Sequence, residues 1–338
     1  MESYARYLAA SWFQKHVRRL GNQLPGIRRA EDIECVHRAR VACRRLRAGL
    51  AMFPEWPSAK RHLRWEKQIR RLGRRLGEAR DKDVQISFLA DLWPQAPCLE
   101  VRVGLAGLIL YRQTERQTAY QKATKGVAQV QKSRLVQEIA SQSRRVLREL
   151  SMPEEELLYC PLWQQAAENI QALSEELLRY APSLQQNQEE ASHHAMRITA
   201  KKLRYSLEIL TPLFGPDVQP ILSALEEFQT LMGQLHDCQV WLLELGQLQK
   251  GGFLKKIRKQ WNKAGFGSDW TVRAFAAALQ WLQQDRQNAQ ERLLQEAAGF
   301  WRQRLQEQIT DRLPAVVQRA LLRPAKRRGL LVRQSAMG

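Results

Sequence analysis

Between Val36 and Phe53 the apolar residues Val36, Ala39, Cys43, Leu46, Leu50 and Phe53 recur at alternating steps of three and four. On an α-helix that spacing gathers them into a single stripe fit for a core. Beside it, turned by one residue or about 100°, His37, Arg40, Arg44 and Arg47 keep the same spacing and form a cationic stripe about 15 Å long. The arrangement recurs 157 residues later. There Met196, Ala200, Leu203, Leu207 and Leu210 make the apolar stripe, and His194, Arg197, Lys201 and Arg204 the cationic one. Arg45 and Lys202 widen the two charged faces, and both copies run into Phe53-Pro54 or Phe214-Gly215-Pro216. A second echo, Leu76-Gly77-Glu78-Ala79-Arg80-Asp81 against Met232-Gly233-Gln234-Leu235-His236-Asp237, has an offset of 156 residues. Two motifs repeated at nearly one offset indicate a duplicated helical unit.

The rest of the chain is built of the same material. Leu, Ala, Gln, Glu and Arg dominate, and no alternating β-branched runs argue for strands. Breakers at Pro25-Gly26, Pro54 with Pro57, Pro94 with Pro97, Pro153, Pro182, Pro212 with Gly215-Pro216, and Gly251-Gly252 divide it into roughly a dozen helices, hence an all-α fold. The periodic pattern runs out at Ser151-Met152-Pro153-Glu154, almost midway. A division near residue 153 gives a first helical bundle over 1–153 and a second over 154–338.

With 54 Lys and Arg against 34 Asp and Glu, the formal charge is +20. A surface that basic collects a polyanion: nucleic acid, anionic membrane or a phosphate polymer. Five cysteines without a CxxC pair fit a reducing compartment and no thiolate zinc site. No signal peptide is visible after Met1, and the longest low-charge stretch, Val103 to Tyr111, is too short to span a bilayer. A soluble cytoplasmic protein is the expectation.

Arginines on an amphipathic helix are ordinarily just its solvated face. Such faces mix signs, because like charges four residues apart repel by a few tenths of a kcal/mol. Here four cationic positions in a row go uncompensated, twice, which favours an anion seated against them. The stretch from Lys60 to Lys82 is more basic still, with ten Lys or Arg and three acidic residues. Arg64, Arg71 and Arg75 line one side of it, while Trp65, Ile69, Leu72 and Leu76 line the apolar side. Its counterpart, Asp217 to His236, carries Glu226, Glu227 and Gln229 instead, so an anion path should lean on the first half. His37 and His194 stand at equivalent places. Without an HxxxH or HExxH pair they read as phosphate partners in the imidazolium form, not as metal ligands, and no cofactor is expected. Asp81 and Asp237 read as caps of following helices, and the scattered tryptophans as packing residues.

His37 through Arg47 resembles the His-x-x-Arg-Val-x-x-Arg-Arg-Leu-Arg hallmark of the conserved histidine α-helical domain, CHAD. Leu76 through Val84 is similar to its later Leu-Gly-x-x-Arg-Asp-x-Asp-Val. The second half matches more loosely, with Lys201 and Lys202 in place of arginines and His236 where Arg80 stands. The resemblance spans essentially the whole chain. It implies two helical bundles related by a pseudo-two-fold axis, with the basic stripes facing each other across a central channel or groove that binds inorganic polyphosphate. The contacts it implies are His37, Arg40, Arg44 and Arg47 with His194, Arg197, Lys201 and Arg204; Arg45 and Lys202 adjoin them, and Arg64, Arg71, Arg74 and Arg75 are further candidates. No strand-rich triphosphate-processing domain of the kind often fused to this family is visible, so a stand-alone module is expected.

The resulting expectation is a non-enzymatic polyphosphate binder, with recruitment to polyphosphate granules as the matching localisation. A nucleic-acid binder using the same surface is the alternative, but base-stacking aromatics are missing from the stripes apart from Tyr205. A phosphate-polymer-processing enzyme has less support: there is no GxxxxGK[ST] loop and no evident carboxylate cluster for Mg²⁺ among the basic helices. Membrane binding is disfavoured, because core-type residues border the stripes. The basic segments Lys255 to Lys263 and Arg323 to Arg333 read as a flap over the channel or a solubilising tail.

Overall fold

A computed structural model describes residues 3–29, 32–150, 162–186, 189–250, 252 and 269–321. Among them every regular element is helical. The long helices are α1 (Ser3–Arg29), α2 (Ile33–Met52), α3 (Ala59–Leu92), α4 (Leu99–Lys132), α5 (Leu135–Glu149), α6 (Leu162–Arg179), α7 (Glu190–Phe214), α8 (Gln219–Lys250) and α9 (Asp269–Phe300). α9 runs on through π-helical turns at Trp301–Leu305 and Gln308–Arg312 as far as residue 321. The division near residue 153, Cys160 and both basic segments singled out above lie outside the described residues.

Among the described residues two helices run further than the breakers suggest. Pro25 and Pro212 sit inside α1 and α7. Both prolines fall within the last five residues of their helices, where few backbone bonds depend on them. Buried Leu24, Ile27, Leu213 and Phe214 hold those turns in place. Elsewhere the stops are local. Asp32 caps α2, its Oδ1 accepting the Glu34 N–H at 2.8 Å. Between α4 and α5 the chain turns on Arg134, which holds a left-handed backbone (φ 53°) without glycine's freedom.

Both apolar stripes read from the sequence are buried: Val36 through Phe53 on α2, and Met196 through Leu210 on α7, each at 1% exposure or less. The larger core runs from α1 to the end of the C-terminal helix, with Phe13 packed on Trp56 and Trp56 edge to face with Trp65 at its first-half centre. A smaller core joins the far ends of α3, α4, α8 and α9 through Leu89, Leu105, Leu108, Trp241, Leu245, Phe275 and Leu282. Burying each such side chain contributes about 1.5–3 kcal/mol. α9 packs on α4 as well as on α8. At that crossing a Cβ on Gly104 would overlap the Ala274 carbonyl oxygen, so only glycine allows the two backbones to meet.

Between the cores lies a compensated polar network. Arg112, 3% exposed, donates to Glu115 at 2.6 Å and to Glu244 at 2.5 Å, and Gln85 donates to Glu244 at 3.0 Å, tying α3, α4 and α8 together. Asp83 accepts from Arg116 Nε at 2.6 Å and from the Tyr120 hydroxyl at 2.8 Å. No helix among the described residues is long and apolar enough to cross a membrane.

Candidate functional site

α2 and α3 form an antiparallel hairpin. Arg80 faces Glu34 and His37, Asp81 and Gly77 face Arg40, and Gly73 faces Cys43. That register sets Arg44 level with Arg74 and Arg47 level with Arg70. Arg70 and Arg74 also share the helical face of Gly77 and Asp81, the face beside α2. α7 and α8 repeat the register. The His194 and His236 rings lie 5.1 Å apart, Gln229 donates to the Ala200 carbonyl at 2.9 Å, and Arg204 donates to Glu226 at 2.9 Å.

The hairpins meet through α2 and α7, and the meeting point is a charged cluster. Arg40 and Arg44 of α2 feel Arg197 and Lys201 of α7, with Asp81 of α3 and Asp237 of α8 among them. Burial, reinforced by the neighbouring cations, lowers the pKa values of Arg44 and Arg197 and brings Lys201 down to about 7. Arg44 Nε and Arg197 Nε are shut off from water with no hydrogen-bond partner. Burial, then Arg80, lowers the His37 pKa, and burial brings His236 down to about 4. The imidazolium expected at His37 is therefore disfavoured by its burial and by Arg80, against the pull of Glu34.

The two aspartates are not caps. Each lies mid-helix, Asp81 twenty-two residues into α3 and Asp237 eighteen residues into α8. Their pKa values are raised, by burial first, although the Asp81 side chain is 62% accessible. Arg40 Nη2 stands 3.9 Å from Asp81 Oδ1, beyond hydrogen-bond distance. Two carboxylates thus stand among the basic helices, but no group of three or more His, Cys, Asp or Glu that could hold a metal ion occurs among the described residues.

Of the cations singled out in the sequence, the structure gathers Arg40, Arg44, Arg197 and Lys201, with His37 and His194 flanking them. Arg47 and Arg74 are exposed on the α2–α3 face, and Lys202 is exposed one residue round from Lys201. Arg45 is engaged elsewhere. Its guanidinium forks onto Glu208 of α7, with Nη2 at 3.2 Å from Oε1, and packs over the Tyr205 and Trp12 rings. Arg204 is 9% exposed and also held, by Glu226 at 2.9 Å and Glu208 at 3.6 Å. Arg64 pairs with Glu138 of α5. Arg75 donates to Gln129 of α4 at 3.0 Å, and Arg71 lines a hollow of about 180 Å³ with Gln68, Gln129 and Ser133. Those three arginines face α4 and α5, roughly a third of a turn from the groove, because the apolar stripe alone did not fix which flank of α3 meets α2. Arg70 went unnoticed in the sequence, although its seven-residue spacing to Gly77 was visible.

The CHAD domain family profile matches residues 11–246, more than two thirds of the chain. The chain belongs to the CHAD domain family. Among solved structures, this CHAD protein is similar to the CHAD domain from the plant Ricinus communis, with a TM-score of 0.61 and 22% identity over 88% of this chain and 91% of that one. It is also similar to PptA from Streptomyces chartreusis, with a TM-score of 0.59 and 14% identity over 88% and 98% of the two chains. At those identities the likeness concerns the fold. No curated protein is similar enough to count as a relative. The family's two motif segments in the first half, His37 to Arg47 and Leu76 to Val84, are thus the two walls of one helical hairpin. Asp81 of the second motif faces Arg40 of the first.

Proposed function

We propose that this CHAD protein binds inorganic polyphosphate, without turning it over, in the groove where α2 and α7 meet. The observation that carries the reading is the Arg40, Arg44, Arg197 and Lys201 cluster, in which like charges are held together, Arg44, Arg197 and Lys201 are lowered in pKa, and Arg44 and Arg197 each keep a buried Nε without a hydrogen-bond partner. Such an arrangement costs stability on its own and is relieved by a dense anion. Guanidinium forks grip phosphate oxygens in pairs, and the lysine adds a point charge. CHAD domains bind polyphosphate in some proteins, which favours a phosphate polymer over nucleic acid. So does the one aromatic beside the stripes: the Tyr205 ring already packs against the guanidiniums of Arg45 and Arg204, which compete with a base for it.

Calorimetric titration with long-chain polyphosphate at two salt concentrations, with duplex DNA and RNA of matched charge as competitors, tests this. Tight binding that survives the competitors is the expected result. Equal binding of all three polymers reduces the groove to a generic basic surface and overturns the reading.

A further inference from the structure

Resting on that reading, we infer that the cluster recognises the end of a polyphosphate chain, with Asp81 and Asp237 accepting the proton of a terminal phosphate, and that the body of the chain leaves over the α2–α3 hairpin alone. Two independent observations lead there.

The first is the pair of carboxylates inside an anion site. Asp81 faces Arg40, Lys82, Glu78 and Glu244, and Asp237 faces Arg197, Lys201, Arg40 and Asp81. Among the described residues neither is locked into a short ion pair that would explain it as a mere counter-ion; the Arg40–Asp81 contact is 3.9 Å. A carboxylate repels an internal phosphate, which bears one negative charge and no proton near neutral pH. A terminal phosphate is different. Its second ionisation falls at roughly pH 6, so close to neutrality it still carries a proton part of the time. That proton can be shared with a carboxylate while the other oxygens take the guanidinium donors of Arg44 and Arg197. The raised pKa values of both aspartates favour sharing a proton in either direction.

The second is the unequal treatment of equivalent places in the two hairpins. Leaving the cluster along α2 and α3, the next pair is Arg47 level with Arg70, both exposed. In the matching place along α7 and α8 stands Arg204 bound to Glu226 at 2.9 Å. One exit is cationic and open, whereas the other is neutralised and its arginine buried. A chain threaded through the cluster would need both exits. A chain that ends in the cluster needs one.

Linear tripolyphosphate and cyclic tetrametaphosphate carry similar charge near neutral pH, but the ring has no terminal phosphate. With calorimetry at pH 7, the linear ligand is expected to bind about tenfold more tightly, the worth of one charge-assisted hydrogen bond. In Asp81→Asn/Asp237→Asn the preference should fall to within about twofold, and the ring should bind more tightly than it does to the unaltered protein, because repulsion is removed. Raising the pH to 9 should erase the preference as the terminal proton is lost. Neutralisation of Lys201 weakens both ligands alike and leaves the ratio unaffected. With long chains, saturation should come at two protein molecules per chain, one for each end, whatever the length.

Equal affinity for linear and cyclic ligands, or a stoichiometry that grows with chain length, overturns end recognition and leaves polyphosphate binding standing. Failure to bind either ligand or the long chains overturns the binding reading, and end recognition with it. The comparison on the unaltered protein stands even where the double variant does not fold.

Discussion

Lys201 shows how much a single side chain's neighbours decide. Burial, then Arg197 on its own helix and Arg44 and Arg40 on α2, bring its pKa from 10.5 to about 7, against the opposing pull of Asp237 on α8, where His236 also lies close. The unfolded chain holds this proton up to about pH 10.5, whereas the folded, ligand-free protein releases it near 7. Between those values the unfolded state binds more protons, so stability rises with pH across that window, and the penalty is fully present below 7. A phosphate seated beside the amine restores its charge. Polyphosphate binding at pH 7.5 should therefore take up protons, and affinity should fall as the pH climbs through 7. Titrations in buffers of different ionisation enthalpy measure the uptake. Lys201→Arg, which stays charged, should lose most of it; an undiminished uptake would assign the proton to another group. The charge of Lys201 was legible in the sequence. Its depressed pKa was not, because three of the cations responsible lie on another helix or one turn away.

At the scale of elements, the α2–α7 contact depends on a carboxylate that sequence reasoning passed over. Glu208 receives Arg45 from α2 and Arg204 from its own helix, and all three side chains are less than a fifth exposed. Glu208→Gln leaves the Arg45 guanidinium without its counter-charge and takes from Arg204 the weaker of its two. The expected cost is about 2 kcal/mol, read as a lower urea midpoint with an unchanged slope. An unchanged midpoint would mean that Tyr205 and Trp12 alone hold Arg45. The same contact explains why a stripe of four cations, evenly spaced on paper, does not act as four equal sites. On α7 the last position, Arg204, meets Glu226 of α8, while on α2 the last position, Arg47, meets only the level of Arg70. The lopsided charge of the paired helices α3 and α8 was plain in the sequence, and it was the antiparallel register that converted it into one open and one closed exit.

For the molecule as a whole, the chain carries a formal net charge of +20, which draws a polyanion towards it. Binding should release counter-ions, so the logarithm of affinity should fall linearly with the logarithm of salt. Replacing Arg40 and Arg44 together by Ala should lower the steepness of that line by roughly 1.5, on a per-phosphate slope of about −0.7 to −0.9. Because those cations repel one another and Arg44 lacks a partner for Nε, the melting temperature of the ligand-free double variant should be no lower than that of the parent. An unchanged salt slope would remove both residues from the contact surface, and a lower melting temperature would give them a structural role instead.

The sequence by itself determined the helical class, the two buried stripes, the cationic rows beside them and the family. All of these follow from periodicity within one helix, where the neighbours of a residue are fixed by 3.6 residues per turn. It misread the ends of two helices, since Pro25 and Pro212 break a helix only when tertiary packing lets them. Only the tertiary structure decided which cations converge and which are taken by carboxylates. Only it brought Asp81 and Asp237 from the middles of two helices into the cluster. Those outcomes depend on the rotation and register of one helix against the next, and a change of one residue in register would turn each side chain by about 100°, which no pattern within a single helix encodes.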